Sequence, residues 1–241
     1  MLEEQLGYWK RQLDGVPPLE LPTDHPRPLV ATHQGGHVPF SLSAETTEKL
    51  KELCREQGVT LFMVLLAAFE VMLGRWAGQQ DVAVGTDIAN RHYLETESLI
   101  GFFVNQLVLR IQWRDDPSFT ELLGRVRQTM LEAYEHQDLP FEKLVEELAP
   151  DRSLNRSPLF QVKLVLQNAP EEELQLAGLH LKGISIEQGM AKLDLTMLAS
   201  ESAGVLSGSI EYSRDLFEAA TVERMLGHWE RLLEEMAEDL T

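Results

Sequence analysis

The 241-residue chain is 44% hydrophobic and 7% aromatic, enough to bury a sizeable core in one large domain or two small ones. Its 39 acidic residues outnumber 21 basic ones for a formal charge of -18, which repels a phosphate backbone and an anionic membrane surface, so neither nucleic acid nor membrane is an expected partner. The longest apolar run, Leu61 to Phe69, falls well short of the ~20 residues that a membrane span needs. The opening Met1-Leu-Glu-Glu lacks the basic flank and apolar centre of a secretory signal, so a cytoplasmic location is expected. The one cysteine, Cys54, excludes an internal disulfide framework and a cysteine-rich zinc site; beside Leu50 and Leu53 it reads as an inert core thiol.

Leu2, Leu6, Trp9 and Leu13 recur at helical spacing, and Gly15 followed by Pro17 and Pro18 closes this opening helix. A Pro-rich linker runs on to about Pro28. His37 to Leu42 reads as a strand. Ser43 is placed to cap a helix reaching Gln57, with Gly58 as its stop, and Thr60 caps the next, which runs to about Ala77. That second helix is apolar on nearly every side and has to be enclosed. Asp81 to Ala89 alternates as a strand into the polar stretch Asn90 to Ser98, and Phe102 to Ile111 returns to strand composition as its expected neighbour in a sheet. Pro117 suits the first turn of a helix whose stripe is Phe119, Leu122, Leu123, Val126, Met130 and Tyr134. A short helix follows from Pro140 to Leu148. Phe160 to Gln167 directs Phe160, Val162, Leu164 and Leu166 inward and Gln161, Lys163 and Gln167 outward. Leu179 and Leu181 are out of phase with Ile184 and Ile186, which predicts a bulge at Gly183. Leu193 to Ala199 and Val205 to Ser213 form an antiparallel pair turning through Ser202 to Gly204, and a helix from Phe217 closes the core. With no repeat, low-complexity tract or second linker, the pattern predicts one compact α/β unit.

No Gly-x-Ser-x-Gly elbow, P-loop or dinucleotide fingerprint occurs, and no two of the seven histidines stand four apart on a predicted helix, so no metal is indicated. Asn155-Arg-Ser157 matches a glycosylation acceptor only by pattern, since Pro158 follows it. His136, Gln137 and Asp138 ahead of Pro140 present an imidazole beside a carboxylate, the pairing of general-base catalysis. The simpler alternative is a helix-entry structure, with a carboxylate near Asp138 serving the free N–H groups of the next helix. Asn105 and Gln106 interrupt an apolar run, and a buried amide without partners costs roughly 1–3 kcal/mol. Asn105 is therefore held: it pins a neighbouring loop or faces a channel. Asn90 and Arg91 end a strand in a polar loop, where Arg91 either lines a channel or makes an ion pair. Arg152 and Arg156 are placed to hold a loop against acidic neighbours.

In chain order, Gly85-Thr-Asp-Ile-Ala-Asn-Arg91, Leu99-Ile-Gly-Phe-Phe-Val-Asn-Gln-Leu-Val-Leu-Arg110, His136-Gln-Asp-Leu-Pro-Phe-Glu142 and Asp151-Arg-Ser-Leu-Asn-Arg-Ser-Pro-Leu159 resemble segments of the condensation domains of nonribosomal peptide synthetases. Ala191-Lys-Leu-Asp-Leu-Thr and Ile210-Glu-Tyr-Ser-Arg-Asp-Leu-Phe217 are similar to that family's C-terminal strands. The likeness covers the family's C-terminal half, and no His-His pair is present to match its His-His-x-x-x-Asp-Gly motif. What the resemblance implies for residues 1–241 is a chloramphenicol-acetyltransferase-like α/β sandwich, one lobe with a mixed sheet flanked by helices, whose first 28 residues are a helix and linker leading in. It further implies half of a tunnel in which a carrier-bound aminoacyl amine attacks a carrier-bound acyl or peptidyl thioester, inactive without the N-terminal lobe. Residues 85–105 become the loop flooring that tunnel, with Asp87, Asn90, Arg91 and Asn105 toward the channel, and 170–188 the latch onto the other lobe. His136, Gln137, Asp138, Arg152 and Arg156 accompany the active site without forming it, so no catalytic residue and no metal ligand is assigned.

By the same resemblance no cofactor is bound directly; the phosphopantetheine arms of partner carrier proteins enter instead. The implied partners are the condensation-domain N-terminal lobe, peptidyl or acyl carrier proteins and an adjacent adenylation domain. Asp87 and Gln106 stand where many relatives carry Pro and Thr, departures that bear on tunnel shape. Two other readings stay open: a non-catalytic module docking a carrier protein, adenylation domain or tailoring enzyme, and a trimeric acyltransferase using His136 across an interface. A lobe lacking its partner is expected to expose an apolar patch.

Overall fold

A computed structural model describes residues 2–91, 94–97, 99–148, 154–167 and 189–238. The expected latch at 170–188, the phase shift at Gly183 and Arg152 lie outside these residues. The elements run α1 (Leu2–Gln12), β1 (Gly35–Ser41), α2 (Ala44–Gln57), α3 (Leu61–Ala77), β2 (Asp81–Ile88), α4 (Leu94–Glu97), β3 (Asn105–Gln112), α5 (Phe119–Glu135), α6 (Phe141–Leu148), β4 (Val162–Gln167), β5 (Leu195–Ser202), β6 (Val205–Ser213) and α7 (Ala219–Glu238). The strands form one six-stranded mixed sheet in the order β1-β6-β5-β4-β2-β3.

Local signals act where they were expected. Ser43 Oγ accepts the N–H of Thr46 at 2.9 Å to open α2, and Gly58 ends it at φ 62, a left-handed conformation that a side chain would strain. Thr60 Oγ1 accepts the N–H of Met63 at 3.3 Å to open α3. Leu65, Leu66, Ala67, Ala68 and Phe69 in α3 are all fully buried, which fits a helix without a polar face. Pro117, expected in the first turn, stands two residues ahead of α5, because Ser118 takes the cap, accepting the N–H of Glu121 while the Glu121 carboxylate returns to Ser118.

Alternate strand residues share a face, and Phe40, Ile210, Met197, Leu164, Val84 and Leu109 are buried on the side covered by α2, α3, α5 and α7. Trp229 of α7 meets Phe40 edge-on at 5.1 Å and donates its indole N–H to Leu65 O at 3.4 Å, so one side chain ties a strand and two helices. The opposite face carries Asp81, Asp87, Gln106, Arg110 and Lys163, and near β3 it is overlain by α1 and α6. Arg110 grips Asp81 through two 2.8 Å bonds and donates to the carbonyls of Gln12 and Asp14, hooking the end of α1 to the sheet.

The expected antiparallel pair forms, β5 with β6 from Leu195↔Tyr212 to Ser202↔Val205, and the expected neighbours β2 and β3 also pair antiparallel, from Asp81↔Gln112 to Ile88↔Asn105. Between β2 and β4, by contrast, the parallel ladder holds the single pair Gly85↔Lys163. The expected strand from Phe102 is shorter than its composition suggested. Pairing stops at Asn105, and Ile100 and Phe102 are 105% and 90% exposed. Gln161, expected to face outward, is buried, because its amide has partners in two other segments.

The Pro-rich linker is a strap stitched down by side chains. Leu19 N–H donates to Gln161 Oε1 at 2.8 Å, and Arg27 pairs with Asp194 at 2.9 and 2.5 Å. Thr32 is held by Asp215 through bonds of 2.7 and 2.6 Å. No single helix among the described residues is long and apolar enough to cross a membrane.

Candidate functional site

Asn105 begins β3 and uses all of its amide on one segment. Nδ2 donates to the carbonyls of Gln137 and Leu139 at 2.9 Å each, and Oδ1 accepts the N–H of Phe141 at 3.0 Å. Of its two possible roles, this is the pinning geometry. The free N–H at the start of α6 is thus met from 36 residues earlier by an amide oxygen, where a carboxylate near Asp138 was expected; Asp138 Oδ2 instead meets Gln5 Nε2 at 3.4 Å.

His136 is held in place by the backbone and by α1. Its Nδ1 lies 2.8 Å from the carbonyl of Glu132, which can only accept, so Nδ1 carries the proton. Trp9 Nε1 donates to the His136 carbonyl at 2.8 Å, and the Tyr8 ring stacks on the imidazole at 4.1 Å with planes 12° apart. Burial, reinforced by Glu132 and Glu135, raises the Tyr8 pKa and keeps a neutral phenol on the ring. The imidazole is therefore oriented by a carbonyl, the arrangement of a helix-entry structure. Gln137 turns its Nε2 to Tyr134 O at 2.7 Å.

Asp87, at the carboxyl end of β2, gathers side chains from the amino ends of β3 and β4. Asp87 and Gln106 are register partners across β2 and β3, and Gln106 Nε2 donates to Asp87 Oδ1 at 3.0 Å. Lys163 of β4 gives its ammonium to Asp87 Oδ2 at 2.9 Å, with side-chain exposures of 18% for Lys163 and 28% for Asp87. Asp87 thus bonds to both of its neighbours in the sheet, Gln106 of β3 and Lys163 of β4. Past β2, Asn90 takes φ 51, a left-handed turn that Asn tolerates, and Arg91 lays its guanidinium 4.2 Å over the Phe103 ring while donating to Thr96 O. Asp87, Asn90 and Arg91 border a cavity of about 330 Å³, whose other walls include Ile88 of β2, Phe62 of α3, Tyr134 of α5, Gln137 and Leu166 of β4. Burial raises the Tyr134 pKa, so this wall is a neutral phenol.

Arg156 holds Glu20 through bonds of 2.7 and 3.0 Å, the acidic-neighbour role expected of it. After it, Leu159 adopts φ 66 and Phe160 N–H returns to Pro158 O at 2.8 Å, a tight γ-turn in a strained region of backbone. The turn lays Phe160 on Gly85, where an added Cβ would sit 2.4 Å from the ring. Sequence reasoning missed Lys163, Phe62, Tyr134 and Leu166 as parts of one site. Their spacing along the chain holds no signal for it, because the juxtaposition arises from the crossover that puts β4 beside β2.

Cys54 is half-buried and burial pushes its thiol up to about 11, which leaves it unreactive. Among the described residues no group of three or more His, Cys, Asp and Glu side chains is placed to hold a metal.

The sequence profile described as Condensation domain matches residues 1–241. The chain is 51% identical over 236 residues to one of the linear gramicidin synthase proteins of Brevibacillus parabrevis, covering 97% of this chain and 3% of that protein. It is 45% identical over 238 residues to chondramide synthase cmdD of Chondromyces crocatus, covering 99% of this chain and 6% of that one. Among solved structures it superposes on the X-domain from teicoplanin biosynthesis with a TM-score of 0.91 at 28% identity, covering 100% of this chain and 55% of the other. A four-domain nonribosomal peptide synthetase in its holo form, bound to AMP and glycine, gives a TM-score of 0.89 at 25% identity over 98% of this chain and 19% of that one. The mixed sheet flanked by helices is thus the chloramphenicol-acetyltransferase-like architecture of these neighbours, and the chain spans about half or less of each relative. With its profile matched from end to end and nonribosomal peptide synthetases among its relatives, the chain belongs to the condensation domain family.

Proposed function

We propose that the chain is the C-terminal lobe of a condensation domain that makes amide bonds in peptide natural product assembly. A carrier-bound aminoacyl amine attacks the carbonyl of a carrier-bound acyl or peptidyl thioester; the C–N bond forms, the C–S bond breaks, and the thiol leaves as the amine loses a proton. The proton-handling His-His-x-x-x-Asp-Gly motif comes from an N-terminal lobe, and this chain supplies the floor around Asp87, Asn90 and Arg91. Asn105 braces that floor from behind. The observation that carries the reading is that His136, beside the floor, has its imidazole tied to a backbone carbonyl and stacked under Tyr8, while the sequence holds no His-His pair. The phosphopantetheine arms of the carriers reach the floor without a cofactor of the chain's own, and an adenylation domain is the expected neighbour.

The test is complementation. Purified chain, mixed with loaded donor and acceptor carriers, is expected to form no amide above the buffer reaction, and to form it when a separately purified N-terminal lobe is added, read by mass spectrometry of the released product. Amide formation by the chain alone overturns the reading.

A second reading, a docking module for a tailoring enzyme, is favoured by the likeness to the complex of the X-domain and OxyB from teicoplanin biosynthesis, with a TM-score of 0.88 at 29% identity. Tight capture of such a partner without any N-terminal lobe supports it, and capture only in that lobe's presence removes it.

A further inference from the structure

β2 and β4 run parallel, are each fully paired on their outer sides by β3 and β5, and meet each other at the one register pair Gly85↔Lys163. Beyond that pair, toward their carboxyl ends, Thr86 to Ile88 and Leu164 to Gln167 have no ladder partners in one another. The Lys163–Asp87 ion pair stands at the vertex where the two strands part. The cavity of about 330 Å³ opens in this wedge, with Ile88 and Ala89 on one side, Leu166 on the other, and Phe62 and Tyr134 beneath. Ligands of parallel sheets settle at the carboxyl ends of strands that diverge, and strand edges facing a gap recognise extended amide chains by main-chain hydrogen bonds.

We infer that this wedge binds an extended amide chain as a short added strand and seats one apolar side chain in the cup of Phe62, Ile88, Tyr134 and Leu166. The volume is at the small end of the ~300–1,000 Å³ of ligand sites, room for one residue-sized unit. The four cup residues bring no charge; of the charged groups at the rim, Asp87 is neutralised by Lys163, and the Arg91 guanidinium is laid over the Phe103 ring and donates to Thr96 O. The occupant is therefore an uncharged, branched or aromatic aminoacyl unit, flanked by amides. The inference rests on the condensation reading for its biological substrate, and not for the binding itself.

The binding test uses the isolated chain with methyl-labelled Ile and Leu, titrated with N-acetyl-leucine methylamide and with N-acetylglycine methylamide. The expected result is a saturable shift of the Ile88 and Leu166 methyl resonances with the leucine probe, at least several-fold larger than with the glycine probe. Leu166→Trp, which fills the cup, is expected to abolish the Ile88 response; should that variant fail to fold, Phe62→Ala enlarges the cup and is expected to shift preference toward the N-acetyl-phenylalanine probe. Equal responses to both probes, or an Ile88 shift that persists in folded Leu166→Trp, overturn the inference. If neither cup variant folds, the two probes on the unaltered chain decide it. Complementation by the N-terminal lobe with no probe response refutes the wedge and leaves the condensation reading intact; probe response without complementation does the reverse.

Discussion

Asn105 Oδ1 accepts the backbone N–H of Phe141 at 3.0 Å, so the first residue of β3 is also the cap of α6. The same amide bonds the carbonyls on either side of Asp138, which makes one side chain responsible for the whole entry segment from Gln137 to Phe141. Asn105→Ala removes three hydrogen bonds and leaves buried partners unmet, an expected loss of about 2–4 kcal/mol by denaturant unfolding. Asn105→Asp keeps the acceptor for Phe141 but sets a carboxylate oxygen against the carbonyls of Gln137 and Leu139, so it is expected to cost at least as much near neutral pH. Equal stability of Asn105→Ala and the parent shows that water replaces the amide.

Arg110 and Asp81 are 10% and 7% exposed and joined by paired bonds. Removing Arg110 leaves the buried Asp81 carboxylate only Gln112 Nε2 at 3.0 Å and the exposed Arg114 guanidinium at 3.6 Å, so Arg110→Met is expected to cost up to roughly 3–5 kcal/mol. Arg110→Lys restores the charge without the fork and is expected to recover only part of this. Since Arg110 also holds the carbonyls of Gln12 and Asp14, the amides of α1 are expected to exchange faster in both variants.

Glu70 lies in the fully buried stretch of α3, and neither of its carboxyl oxygens has a hydrogen-bond partner among the described residues. Burial raises its pKa well above the ordinary 4.5. The folded chain then keeps a proton that the unfolded chain releases, so stability falls as pH climbs from about 4.5 toward the folded-state value, and the loss is complete above it. Glu70→Met is expected to flatten that slope and raise stability near neutral pH by roughly 1–3 kcal/mol. An unchanged slope across a pH series of melts refutes the assignment to Glu70.

Ile100 and Phe102 project from the segment between α4 and β3 at 105% and 90% exposure, beside Leu99 and Val104 at 51% and 48%. Exposed apolar clusters of this kind mark contact surfaces. The double change Ile100→Lys, Phe102→Lys is expected to reduce self-association by light scattering with no change in melting temperature. It is also expected to weaken complementation by the N-terminal lobe several-fold, and full complementation places the lobe contact elsewhere.

How far the fold was legible depends on how far apart its determinants lie. Ser43, Gly58, Thr60 and the stripe of α5 act within one or two helical turns, and each did what its neighbours dictated. The β5–β6 hairpin is also short-range, and its pairing followed from alternation, while β2 and β3 were legible as sheet neighbours across the longer connection that holds α4. Phe102 and Val104 read as strand because composition records apolarity, not whether a partner strand extends far enough to cover it. Gln161 read as outward because its partners, Leu19 and Ser157, come from a loop and a linker without periodicity. The segment from Gly85 to Arg91 stood out by motif, whereas the cavity wall at Leu166 and the Lys163 partner of Asp87 depend on a parallel neighbour contributed some seventy residues later, with Lys163 and Asp87 separated by 76 positions.

The lone Gly85↔Lys163 pair divides the sheet into a two-strand plate, β2 with β3, and a four-strand plate, β1-β6-β5-β4. The plates share a helical layer but little main-chain bonding, so the backbone there is a seam rather than a weave. In hydrogen–deuterium exchange the amides of Thr86 to Ile88 that point at β4 are expected to label before those that point at β3, although both lie in the middle of the sheet. A protein whose central strands open ahead of its rim can adjust the spacing of two rigid halves without unfolding either.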